Sequence, residues 1–143
     1  MKSRLFEKIE AEQKLTLDVV LSMSMPLAID GLPGDSPVWE KFRNAIYDEQ
    51  GKLGLQEWAV ICQSFSQIEY DDESFWQIIE KQFSSSINEN PGDPQVLAAI
   101  CFAVEGSPKI SQKLKNKLSR EISRAQEQIN QNPQFKEVID SFV

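Results

Sequence analysis

Residues 53–87 read LGLQEWAVICQSFSQIEYDDESFWQIIEKQFSSSI, and this stretch decides the fold. Leu55, Trp58, Ala59, Cys62, Phe65 and Ile68 recur at intervals of three and four, which lines one face of an α-helix. Phe75, Trp76, Ile79 and Phe83 do the same after a short acidic turn. Neither helix can bury its stripe alone, so the two must pack on each other and on neighbours at both sides.

Outward from that pair, the same signals recur. Residues 3–14 set Leu5, Phe6 and Ile9 among charged side chains, an amphipathic helix. Residues 15–25 alternate apolar and polar like a strand, yet Leu17, Val20, Leu21 and Ser24 also fit a helix. No second strand-like stretch exists to pair with it, so a helix ending near Pro26 is predicted. Two glycines and two prolines mark a loop over 30–37, closing with Ser36 as helix cap and Pro37 at the first helical position. Val38, Trp39, Phe42 and Ile46 then give a helix to about Asp48, and Gly51 and Gly54 a turn. Asp93-Pro94 repeats the cap-then-proline device before a helix over 95–104. Ser107-Pro108 predicts the start of a long helix to about Asn130, with Ile110, Leu114, Leu118, Ile122, Ala125 and Ile129 inward. Asn132-Pro133 breaks it before a short helix carrying Phe135, Val138, Ile139 and Phe142.

The pairs are regularly spaced. Residues 56–62 align with residues 95–101 at an offset of 39, Cys62 on Cys101, and Phe75, Ile79 and Phe83 meet Leu114, Leu118 and Ile122 at the same offset. At an offset of 37, Val38-Trp39 meets Phe75-Trp76, Phe42 meets Ile79 and Ile46 meets Phe83. This pattern over 16–130 resembles that of helix-pair repeat families, which implies stacked hairpins presenting a concave surface to a partner. The signature residues of tetratricopeptide and HEAT repeats are not satisfied, so the resemblance carries no site residues. The expected fold is therefore all-α: one domain over 1–143 of about seven to eight helices in successive antiparallel hairpins, either a HEAT-like stack or an irregular bundle. Within it residues 3–29 form N-terminal helices, 36–130 the helix-pair region and 133–143 the terminal helix.

The totals narrow the chemistry. A chain of 143 residues with 41% hydrophobic content and three tryptophans can bury about 68–70% of its unfolded surface. A net charge of −7 argues against non-specific binding to DNA or anionic membranes. Residues 1–7 start basic but lack an apolar run, which reads as no secretory signal, and residues 15–29 are too short and polar to span a bilayer. Cys62 and Cys101 lie on apolar faces without CxxC spacing, which favours two reduced buried thiols over a disulfide, and a cytoplasmic setting.

There is no histidine, so the commonest general base and metal ligand are both missing. No nucleophile elbow, SxxK or phosphate cradle occurs. The expectation is a protein that is not an enzyme and takes no metal or cofactor. Glu69, Asp71, Asp72 and Glu73 could gather a hard cation, but Asp71 or Asp72 stands where a helix cap belongs, and capping is the stronger reading.

Two features point to partners. Most of the aromatics are expected in the core, but Val38-Trp39 and Phe75-Trp76 double large residues on stripes only about 100° wide, so one of each pair is expected at the edge of a groove, with Trp39 and Trp76 the candidates to anchor a protein partner there. Charge is also uneven: residues 1–108 hold eighteen acids and eight bases, residues 109–143 seven bases and four acids. Lys113, Lys117, Arg120 and Arg124 form a basic stripe, with Lys109 and Lys115 beside it. The reading is an acidic adaptor or stoichiometric inhibitor or regulator acting through a helical groove or flank. Its alternative is a nucleic-acid-associated protein using the basic stripe. A homodimer is compatible with the same features, and no membrane partner is expected.

Overall fold

A computed structural model describes residues 16–105 and 107–142. The expected helix over 3–14 lies outside the described residues.

The described residues form eight α-helices and one short 3-10 turn, without a strand. Helix α1 spans Leu17–Ile29, and its cap, Thr16 Oγ1, accepts from the Val19 amide at 3.4 Å. The helix passes through Pro26 instead of ending there. The hydroxyls of Ser22 and Ser24 bond back to the carbonyls of Asp18 and Val20, a pattern that bends helices. Leu27 and Ala28, beyond the proline, are buried, and that packing holds the last turn. Gly31, at φ 86°, then reverses the chain in the left-handed conformation that terminates helices. The following loop lies against Ile68: a Cβ on Gly34 would stand 2.8 Å from the Ile68 carbonyl oxygen, so only glycine fits.

Helix α2 is Pro37–Asp48, with Ser36 accepting from the Val38 amide and proline at its first turn, as read from the sequence. A 3-10 turn, Gln50–Lys52, leads to α3, Leu55–Gln67, and then α4, Glu73–Glu89, capped by Asp72. Helix α5 is Pro94–Val104, where Asp93 accepts from the Gln95 amide at 2.9 Å. Helices α6, Gln112–Arg124, α7, Gln126–Asn130, and α8, Pro133–Phe142, complete the described chain.

The single long helix expected from Ser107 to Asn130 is therefore shorter and divided. Ser107 does not cap it; its buried hydroxyl is paired at 2.8 Å with that of Ser66 on α3. Ser111 caps instead, accepting from the Leu114 amide. At the other end the Ala125 amide is shared between the carbonyls of Glu121 and Ile122, which tightens the last turn. The short α7 then keeps Ile129 buried while the chain turns back into α8. The inward positions survive this break: Ile110, Leu114, Leu118, Ile122, Ala125 and Ile129 are all buried.

Contacts order the helices in two rows. In one, α1 packs on α3, α3 on α5, and α5 on α8. Across it lie α2 on α1, α4 on α3 and α5, and α6 on α4 and α5. That is the contact order of hairpins stacked side by side, and α7–α8 is where it departs from a plain repeat. Positions matched by sequence offset hold matching places: Cys62 and Cys101 are both fully buried, in α3 and α5, and Phe42, Ile79 and Leu118 are fully buried in α2, α4 and α6. The core runs unbroken from Val20 to Ile139. Its centre is aromatic, with Phe75 4.6 Å from Phe65 and 5.6 Å from Tyr70 between ring centroids, and Trp39 5.2 Å from Phe65.

Candidate functional site

Trp39 and Trp76 do not stand at a groove. They are 0% and 3% exposed, and Val38 and Phe75 beside them are fully buried. Adjacent positions both find cover because each helix is packed on more than one side: α4 touches α3, α5 and α6, and on α2, which packs on α1, Trp39 also lies against Phe65 of α3 and bonds to the loop at Leu32. Each indole N–H is also satisfied inside, Trp76 Nε1 donating to the Tyr70 carbonyl at 2.7 Å and Trp39 Nε1 to that of Leu32 at 3.4 Å. Both residues organise the core.

The acidic cluster is structural in its best-placed member. Asp72 Oδ1 accepts from the Phe75 amide at 3.2 Å, capping α4, while Oδ2 accepts from Arg43 Nη1 at 2.7 Å. That second bond ties α2 to the start of α4, and it raises the Arg43 pKa above its usual value. Asp71 is exposed and lies 3.8 Å from Lys109. Among the described residues no group of histidine, cysteine, aspartate or glutamate side chains is arranged to hold a metal ion.

The predicted basic stripe lies on α6 but is not uniform. Arg124 pairs with Glu121 at 3.2 Å, and Lys117 donates to Ser84 Oγ and Asn88 Oδ1 on α4. Lys113 and Arg120 are exposed and have no partner among the described residues.

A further surface emerges that sequence reasoning missed. Along the seam of α3 and α5, flanked by α8, runs an open apolar groove of about 320 Å³. Ala59, Ala98 and Ala99 contribute small side chains to it, while Val60, Phe102, Phe135 and Val138 supply the bulk. Phe102 is 57% exposed and Val60 36%. Among the described residues the polar lining consists of the amides Gln56, Gln63 and Gln95, without a charged side chain. Small residues between large ones leave a trough, and an exposed phenylalanine within it leaves apolar area in contact with water.

Cys62 and Cys101 carry free, buried thiols. Burial pushes both up to about 12, and Cys62 Sγ donates to the Ala103 carbonyl across the α3–α5 seam. At pH 8 both thiols stay protonated, which makes them poor nucleophiles. Iodoacetamide should leave the native protein unlabelled at that pH and label both sites in denaturant; ready native labelling would contradict the burial. The folded state holds these protons more tightly than the unfolded one. Stability is therefore complete below the ordinary thiol range and is lost as pH rises from about 9 toward 12, at up to about 1.4 kcal/mol per pH unit for each thiol.

Comparison with known proteins finds no matching family model, no matching curated protein and no matching solved structure.

Proposed function

We infer that this chain is a non-catalytic protein-binding module, an adaptor or stoichiometric regulator, which takes an amphipathic helix of a partner protein along the α3–α5 seam. The observation that carries this is Phe102, a large apolar side chain 57% exposed inside an apolar groove. The groove follows α3 from Gln56 to Gln63 and α5 from Gln95 to Phe102, about two turns of each. A helix laid along it meets the kind of surface that helices of this row already offer one another. Its volume of about 320 Å³ suits one or two large apolar anchors, and its uncharged rim favours an apolar stripe over a charged one. The pair of reduced thiols supports the cytoplasm as the place of action.

Changing Val60 and Phe102 together to aspartate should weaken partner binding by about 100-fold, since central apolar anchors contribute roughly 1–2 kcal/mol each or more. Neither residue is part of the buried core, so thermal melting should stay within a few degrees of the parent. A partner held equally well by the double variant would overturn the assignment. A chain that self-associates, and that the same variant dissociates, would make the occupant a second copy.

Nucleic-acid association through Lys113, Lys117, Arg120 and Arg124 is supported less well. Arg124 is already paired, and the hollow beside the stripe ends in Asp71, Asp72 and Glu73.

A further inference from the structure

Between α4 and α6, away from the apolar groove, lies a second cleft of about 480 Å³. Four cationic side chains line it, Lys81 from α4 and Lys113, Lys117 and Arg120 from α6, on a chain whose net charge is −7. Lys81, Lys113 and Arg120 are exposed and make no ion pair or hydrogen bond among the described residues. Lys117 is fixed, its ammonium donating to Ser84 Oγ at 2.9 Å and Asn88 Oδ1 at 2.8 Å, but both acceptors are neutral. Its charge is therefore uncompensated, and one of its three donors is left over. Among the described residues one carboxylate shares the cleft, Glu80, which accepts from the Ser111 amide at 3.3 Å and from the Ser111 hydroxyl at the N-terminus of α6; against four cationic groups it leaves a surplus of three positive charges. Four like charges around one cleft repel each other, and a bound anion relieves that repulsion.

The surroundings set the size and kind of anion. From Lys113 to Arg120 is about 10 Å along a helix. Past Lys113 the cleft opens into an adjoining hollow lined by Asp71, Asp72 and Glu73, which would repel a polyanion continuing in that direction. Among the described residues no aromatic side chain lines the basic part, so none of them stacks on a base. Lysine ammonium groups and an arginine fork suit phosphate oxygens.

We propose that the cleft between α4 and α6 binds a short phosphate chain of two or three phosphates, with Lys81, Lys113 and Arg120 pairing with its oxygens and Lys117 as the fixed central donor. The source is either inorganic polyphosphate or the phosphate tail of a nucleotide, and recognition ignores the base.

Calorimetric titration of the full chain with inorganic tripolyphosphate at low ionic strength tests this. Binding is expected, weakening as salt is added. A Lys81→Gln, Lys113→Gln, Arg120→Gln triple variant should bind about tenfold or more weakly while melting like the parent, because all three are exposed and none makes a hydrogen bond or ion pair among the described residues. Adenosine triphosphate matching tripolyphosphate within a few-fold would support recognition of the phosphates alone. No binding of tripolyphosphate, undiminished binding by the triple variant, or a long single-stranded RNA bound more tightly than tripolyphosphate would each overturn the proposal.

Discussion

Replacing Phe75 with alanine should destabilise the native state by about 3–5 kcal/mol, a large share of the roughly 5–15 kcal/mol typical of a domain. Phe75 is fully buried in the first turn of α4, and four aromatic rings surround it. Phe65 of α3 lies at 4.6 Å, Tyr70 of the connection at 5.6 Å, Trp76 at 5.9 Å and Tyr47 of α2 at 6.2 Å. The substitution removes the burial of a whole ring and leaves a cavity at the meeting point of three helices, where rigid neighbours cannot close in. Each aromatic pair adds about 0.5–1.5 kcal/mol beyond area alone, although the pairs share one ring and do not simply add. In urea the unfolding midpoint should fall by roughly 2 M at unchanged slope. A shift corresponding to less than about 1 kcal/mol would mean that this cluster is not the centre of the core.

Asp72→Ala should cost about 2–4 kcal/mol, although the residue contributes little apolar area. Its side chain serves two elements at once, the cap of α4 and the anchor of Arg43 on α2. Loss of an N-cap costs about 1 kcal/mol. The ion pair adds more than an ordinary surface pair because its side chains are only 24% and 19% exposed, yet that residual exposure keeps it below the worth of a fully buried pair. Arg43 would also lose its strongest partner while its Nε is buried without one among the described residues. Asp72→Asn separates the two roles. An asparagine still caps, so this variant should lose only the charge-dependent part, about 1–2 kcal/mol. Equal losses for alanine and asparagine would show that the cap contributes nothing.

The architecture was legible wherever one stripe meets one neighbour. Leu114, Leu118 and Ile122 on α6 are spaced at four residues and all point inward. Local chemistry was legible too: Ser36-Pro37, Asp72 and Asp93-Pro94 each start a helix because a side-chain oxygen satisfies an amide the helix leaves open. Division of the last long helix was not, because neither glycine nor proline marks Ala125 and the turn there is set by the return of α8 onto α5. Nor could the sequence show that Pro26 is tolerated, since the packing of Leu27 and Ala28 decides it.

The site was less legible than the fold, for a related reason. Trp39 and Trp76 stood out by size, but exposure depends on how many neighbours a helix has, which local spacing does not encode. The informative signal lay in α5, where residues 96–104 are nine apolar residues in succession, more than a single stripe can hold. Contacts with α3, α4, α6 and α8 cover most of that helix, and Phe102 is on the remaining face.

Whether that face docks a partner is tested most directly by placing a photocrosslinking amino acid at position 102 of the full chain in its native host, with position 81 as control. The expected result is one predominant adduct with another protein from position 102, lost when Val60 is changed to aspartate and absent from position 81. No adduct at 102, adducts only with a second copy of the chain, or the same mixture from both positions would contradict it.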